Sequence, residues 1–190
     1  PIERAIIDGE NKTGVTTMYM AKGLDTGDII EQSVVSIMSD DTGETLTDKL
    51  AKTGSELILS TLDKLENGTA ERTMQNDDES CYAAMLSKDM GDIDFTKPAD
   101  EIERLVRGLQ PWPCAFTRIK GKSVKIYGAC VTDAPEGTEP GQITGVTKKS
   151  FAIVCGEGAL QIKRLQPEGK KPMDVAAFLA GNKLCDGERI

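Results

Sequence analysis

Two prolines one residue apart, Pro111 and Pro113 on either side of Trp112, divide this chain more sharply than any other feature. Proline has no backbone N–H and its ring collides with the preceding helical turn, so a helix that reaches Gln110 must stop there. Upstream, Pro98-Ala99-Asp100 opens such a helix, with Ile102, Leu105, Val106 and Leu109 on one face. Downstream the pattern becomes that of strands. Residues 115–119 and 123–131 alternate across Lys120-Gly121-Lys122, a short hairpin turn. Segments 141–146, 150–155 and 159–166 follow, separated by Thr147-Lys148-Lys149 and Gly156-Glu157-Gly158. A last helix runs from Met173 to about Leu179. Five short strands with glycine-bearing turns and flanking helices predict a small β-barrel of the oligonucleotide-binding (OB) type.

The first part of the chain follows a different pattern. Pro1 to Asp8 reads as a helix with proline at its first position, where a missing N–H costs nothing. Residues 13–20 and 29–37 are rich in β-branched and apolar side chains and read as two strands, joined by the turn-forming Gly23-Leu24-Asp25-Thr26-Gly27-Asp28. A long helix opens at Thr42 or Gly43, with Leu46, Leu50, Leu57, Ile58, Leu62 and Leu65 forming one apolar stripe, and ends at Gly68. The polar stretch Gln75-Asn76-Asp77-Asp78-Glu79-Ser80 reads as a linker. The expected organisation is an α/β unit over 1–68, a linker over 69–87 and the barrel unit over 88–190. A natural chain rarely starts inside the first turn of a packed helix, so residues are expected upstream of Pro1.

Charge separates the halves as well. Residues 1–87 carry 7 Lys/Arg against 17 Asp/Glu, whereas 103–171 carry 12 against 6. An acidic half joined to a locally basic one fits a polyanionic partner for the second, although a solvated surface with chance clustering has the same signature. There is no histidine, which removes the commonest general base. The five cysteines, Cys81, Cys114, Cys130, Cys155 and Cys185, are odd in number and widely spaced. They read as reduced thiols of a cytoplasmic protein, with no metal site. No apolar run approaches the ~20 residues that cross a bilayer.

The sharpest candidate for chemistry is the loop between the first two strands. Its glycines let the backbone turn tightly or approach a ligand, and Asp25 sits where loops of α/β folds carry catalytic groups. Read on residue types alone, Asp25 and Asp28 are equally good turn formers.

Thr13-Gly14-Val15-Thr16 followed by Gly23-Leu24-Asp25-Thr26-Gly27-Asp28 resembles the late part of the folate-dependent formyltransferase catalytic domain, with Pro1-Ile2-Glu3-Arg4-Ala5-Ile6 at the matching distance upstream. Tyr82-Ala83-Ala84-Met85-Leu86-Ser87-Lys88, then Ile93-Asp94-Phe95, is similar to the opening of that family's C-terminal domain. Gln110-Pro111-Trp112-Pro113 and Leu165-Gln166-Pro167-Glu168-Gly169-Lys170-Lys171-Pro172-Met173 resemble the methionyl-tRNA formyltransferases in particular. Each motif is weak alone; five in order and register, covering essentially the whole chain, are specific.

The resemblance implies formyl transfer from 10-formyltetrahydrofolate to the methionine amino group of initiator methionyl-tRNA. It implies an α/β remnant, the C-terminal part of a Rossmann-like formyltransferase domain, followed by the OB-like domain. In that family an Asn, a His and an Asp carry the chemistry. The Asp maps onto Asp25, while the Asn and His have no counterpart here, so the 190-residue chain is expected to be inactive alone. By the same likeness the backbone of Met20, Ala21, Lys22, Gly23 and Leu24 lines the pterin pocket. The tRNA-gripping cations would be Lys88, Arg118, Lys120, Lys122, Lys148, Lys149, Lys170 and Lys171, which fall largely in turns and strand ends. Met85 stands where the family usually has Lys. Trp112 could stack on a base, but the expectation is that it plugs the barrel's end. The parent is expected to be a monomer with no membrane contact. Two other readings fit the residues: a folate-dependent relative that formylates sugar nucleotides or hydrolyses formyltetrahydrofolate, and a non-catalytic RNA-binding module.

Overall fold

The computed structural model describes residues 1–190, the side chain of Asp77 excepted. Helix α1 (Ile2–Ile7) leads into strands β1 (Lys12–Met18) and β2 (Ile29–Ser36), which pair antiparallel from Lys12 opposite Ser36 to Met18 opposite Ile29. Alternation puts one face of this hairpin on helix α2 (Gly43–Glu66): Val15, Val35 and Ile37 pack with Ile2 against the buried Ile6, Leu46 and Leu50. Further along α2 the contact turns polar. The buried Thr61 hydroxyl lies 2.8 Å from that of Thr17 and 2.7 Å from the Glu31 carboxylate, which pairs with Lys64 at 2.6 Å. Helix α2 starts where Thr42 and Thr45 form a reciprocal capping box that satisfies two N-terminal N–H groups.

The apolar stripe read along α2 is only half covered. Leu46, Leu50 and Leu57 are buried, whereas Ile58, Leu62 and Leu65 are exposed. A two-stranded sheet shields one narrow strip of a helix, and these three residues lie on the flank of that strip.

Helix α3 (Ala99–Gly108) carries Ile102 and Val106 into the second core. It is followed by β3 (Ala115–Ile119), β4 (Lys122–Thr132), β5 (Ile143–Thr144), β6 (Ala152–Val154), β7 (Ala159–Pro167) and β8 (Met173–Asp174), then helix α4 (Val175–Gly181). The sheet is antiparallel in the order β3-β4-β7-β6-β5, with β8 beside β7. Ile126, Phe151, Ile153, Leu160, Ile162 and Leu165 fill its inner face, and the Phe151 and Phe178 rings meet at 6.4 Å between centroids.

The expected OB-like closure is not found: among the described residues no pairing joins β3 to β5. The reason lies at both edges. Strand β5 is only two residues long, and its free side is taken by the chain's last residues, with Ile143 N–H donating to Glu188 O (2.8 Å), Gly187 N–H to Ile143 O (2.8 Å) and Ile190 N–H to Gly141 O (3.1 Å). At the other edge Ile93 N–H donates to Phe116 O (3.0 Å). Both rims of the sheet are thus paired with other segments. Trp112 also departs from expectation, being 53% exposed. Leu109 and Cys114, just outside the Pro-Trp-Pro tripeptide, take the buried positions instead.

The two halves dock through their helices with little room to spare. A Cβ on Gly108 would lie 2.6 Å from Ile7 Cγ1 and 3.0 Å from Glu3 O. One on Gly43 would lie 2.5 Å from Gln110 O and 2.8 Å from Gly108 O. Arg107 crosses the same junction, donating to Asp41 O at 2.7 Å while pairing with Glu103.

Candidate functional site

The loop joining β1 to β2 is closed at its base by Tyr19 N–H donating to Asp28 O (2.9 Å). Gly27 is obligatory there, since any Cβ would sit 1.6 Å from Tyr19 O. Asp25 adopts a left-handed backbone (φ 54°), a conformation that aspartate tolerates better than most residues. Its carboxylate faces solvent, as do Met20, Ala21, Lys22, Gly23 and Leu24. Positions 21–24 lie outside both strands in an exposed loop, with a turn at Leu24-Asp25. Asp25 and the five backbone positions named from the sequence therefore share one open loop.

Three residues hold that loop from the segment read as a linker, one through its backbone and two through their side chains. Thr73 N–H donates to Ile29 O (3.0 Å) and Ile29 N–H to Thr73 O (2.8 Å), which adds a short third rung to the hairpin's mouth. Arg72 places its guanidinium 3.7 Å from the Tyr19 ring centroid and pairs with Asp28 at 3.3 Å. The Gln75 amide donates to Asp25 O (2.8 Å) and Gly27 O (2.7 Å). Sequence reading missed all three residues. A polar stretch after a helix carries no sign of a partner some 50 positions earlier in the chain.

The basic residues distribute by topology. In an antiparallel sheet of this order the β3–β4, β5–β6 and β7–β8 connections all emerge at one end. Arg118, Lys120, Lys122, Lys148, Lys149, Lys170 and Lys171 sit in or beside those connections and are all exposed. Helix α3 begins at the opposite end, where Ala99 N–H donates to Glu157 O in the β6–β7 turn (2.9 Å). Some of the charge is locally spent: Arg118 pairs with Asp92 at 3.4 Å and Lys120 with Glu188 at 3.5 Å. Lys88 is set apart. It opens a short 3-10 turn (Lys88–Gly91) that precedes the bridge of Asp92 to Phe116, toward the other end of β3. Met85, in the adjoining segment, is fully open to solvent.

Among the described residues no group of three His, Cys, Asp or Glu side chains is placed to hold a metal ion. All five cysteines are free, and burial pushes the Cys155 thiol up to about 11, far from thiolate reactivity at neutral pH. Among the described residues no helix is long and apolar enough to cross a membrane.

The formyl transferase family model matches residues 1–62, and the model of the formyl transferase C-terminal domain matches residues 85–183. Methionyl-tRNA formyltransferase of Agathobacter rectalis is 46% identical over 187 residues, 98% of this chain and 60% of that protein. The Lachnospira eligens protein of the same name is 48% identical over 98% of this chain and 61% of its own length. The chain thus spans about 60% of the length of the curated relatives it matches. Among solved structures, HypX from Aquifex aeolicus in complex with tetrahydrofolic acid aligns with a TM-score of 0.67 at 20% identity, over 94% of this chain and 32% of that one. An N-formyltransferase from Helicobacter canadensis, in complex with folinic acid and dTDP-3-aminofucose, aligns with a TM-score of 0.67 at 24% identity, over 85% and 58% respectively. At such identities these two likenesses establish a shared mixed α/β fold and no more.

Proposed function

This chain belongs to the formyl transferase family, and from that premise we propose that the protein carrying it moves a formyl group from 10-formyltetrahydrofolate to the methionine amino group of initiator methionyl-tRNA. The observation that carries this reading is the match, over 97–100% of the chain and at 40–48% identity, to eight bacterial proteins named methionyl-tRNA formyltransferase. We take residues 1–68 as the later part of the catalytic domain, 69–87 as the linker and 88–190 as the tRNA-holding domain of an enzyme acting as a cytoplasmic monomer.

The chemistry assigns roles to what the chain supplies. Attack of the amine on the formyl carbon builds a tetrahedral oxyanion and leaves an acidic ammonium on the attacking nitrogen. A donor must stabilise the first, a base must take a proton from the second, and collapse then breaks the bond from the formyl carbon to N10, which leaves as tetrahydrofolate carrying a proton. Asp25 is the family's carboxylate, which orients the catalytic His and raises its basicity; this chain contains no histidine of its own. The exposed backbone at Met20, Ala21, Lys22, Gly23 and Leu24 suits an edge-on heterocycle, which supports folate as the formyl donor. Seven cations at one end of the sheet support a polyanionic acceptor held by phosphate contacts, with Lys88 as a separate point near the linker.

The test is formyl transfer by the protein expressed at the full length of its reading frame. Asp25→Ala is expected to lower kcat by about 100-fold or more, the usual scale for loss of a group that assists proton transfer. Residues 1–190 alone are expected to show no turnover. Wild-type kcat in the Asp25→Ala enzyme would remove Asp25 from the mechanism.

A further inference from the structure

We propose that Gln75 is a positioning residue for the reaction: its side-chain amide fixes the conformation of the loop that carries Asp25. This rests on the reading of Asp25 as the catalytic carboxylate. Both Nε2 protons are committed, to Asp25 O at 2.8 Å and Gly27 O at 2.7 Å. Two carbonyl dipoles two residues apart converge on this one donor group. Without it they would face each other with only solvent to satisfy them. The residue between the loop's glycines that most needs such help is Asp25, whose left-handed backbone (φ 54°) is intrinsically disfavoured for a residue with a Cβ.

The surrounding contacts make Gln75 a fixed post. Thr73, two residues earlier, is locked to Ile29 by a reciprocal pair of backbone hydrogen bonds. Arg72 lies over Tyr19 and pairs with Asp28, so the segment that delivers Gln75 is held against the loop's base. The loop's other end is fixed by the Tyr19–Asp28 hydrogen bond and the close approach at Gly27. The segment Met20–Thr26 is thus anchored at its base by backbone and at its far side by a single amide. Gln75 touches no reacting atom; it acts by holding Asp25 and the neighbouring backbone in one arrangement. Displacements near 1 Å of a reacting group cost about 100-fold in rate, so one lost amide is enough to matter.

The experiment is a double-mutant cycle on the full-length protein, combining Gln75→Leu with Asp25→Ala. Gln75→Leu keeps the side chain's bulk and removes both donors. It is expected to lower kcat/KM by at least about tenfold, with the thermal midpoint and the KM for tRNA unchanged. In the Asp25→Ala background the same change is expected to have a much smaller effect on kcat/KM, because the carboxylate it positions is gone while the carbonyls at positions 25 and 27 that it holds remain. Gln75→Lys, which restores donors at the same place, is expected to recover part of the rate. Amide hydrogen exchange at Tyr19 and Ile29, whose N–H groups donate to Asp28 O and Thr73 O at the loop's base, supplies a readout independent of turnover and is expected to accelerate in Gln75→Leu alone. Unchanged kcat/KM with unchanged exchange would overturn the proposal, as would full additivity with Asp25→Ala. If Asp25→Ala itself leaves turnover intact, the catalytic reading of Asp25 fails first; loop exchange then still decides whether Gln75 holds the loop.

Discussion

Asp41 is nearly sealed from water and still carries its charge, because both of its carboxylate oxygens accept hydrogen bonds. Its Oδ2 accepts from Met38 N–H (2.7 Å) and Lys49 Nζ (2.7 Å), and its Oδ1 from the Thr45 hydroxyl (3.0 Å). Burial pushes its pKa up; the Lys49 ammonium, the Met38 N–H and the Thr45 hydroxyl together outweigh that and hold it below the usual carboxylate value. A folded pKa below the unfolded one stabilises the fold above roughly pH 4, and the stabilisation is lost as pH falls through the folded value. Asp41→Asn is therefore expected to cost about 1.5–3 kcal/mol at pH 7, the range for hydrogen bonds to a charged group, and less at pH 3. Urea unfolding at both pH values checks this. An equal cost at the two would show that the charge plays no part.

Helix α2 contains two glycines that a propensity scale treats alike, yet they sit in different surroundings. At Gly54 a new Cβ would rest 3.5 Å from Val15 Cγ1, an ordinary contact. At Gly43 it would meet two backbone oxygens, Gln110 O at 2.5 Å and Gly108 O at 2.8 Å, and backbone cannot step aside. Alanine in a helix gains up to about 1 kcal/mol over glycine. Gly54→Ala is thus expected to be neutral or stabilising by up to that amount. Gly43→Ala should be destabilising by about 1–3 kcal/mol as the docked helices are forced apart. Denaturation midpoints of the two variants, moving in opposite directions, are the check. The sequence made α2 itself legible, since its leucines recur at helical spacing and Thr42 and Gly43 mark its start. It could not show which part of the stripe is covered, because the hairpin's width, and not the helix's pattern, decides that Ile58, Leu62 and Leu65 stay exposed.

Across the whole molecule, local pattern located the elements and long-range pairing decided how they join. The breaks at Pro111 and Pro113, the β3–β4 hairpin and the Asp25 loop follow from residues adjacent in sequence, and they lie where those residues put them. The sheet's open form did not, because it depends on Gly187–Ile190 pairing along Gly141–Ile143, segments more than 40 positions apart. The Gln75 contact is of the same kind, since a side-chain amide has no periodicity to betray its target. The basic end lies between these extremes: its lysines were visible in their turns, but only strand order gathers them at one end. That gathering is what favours a polyanionic acceptor over a small one, and acceptor choice is the central claim. The most direct test offers 10-formyltetrahydrofolate, labelled in the formyl group, to the full-length protein with initiator methionyl-tRNA and a dTDP-amino sugar present together. The label is expected in formylmethionyl-tRNA, at a rate that falls as salt is raised; label accumulating on the sugar nucleotide instead would contradict the account.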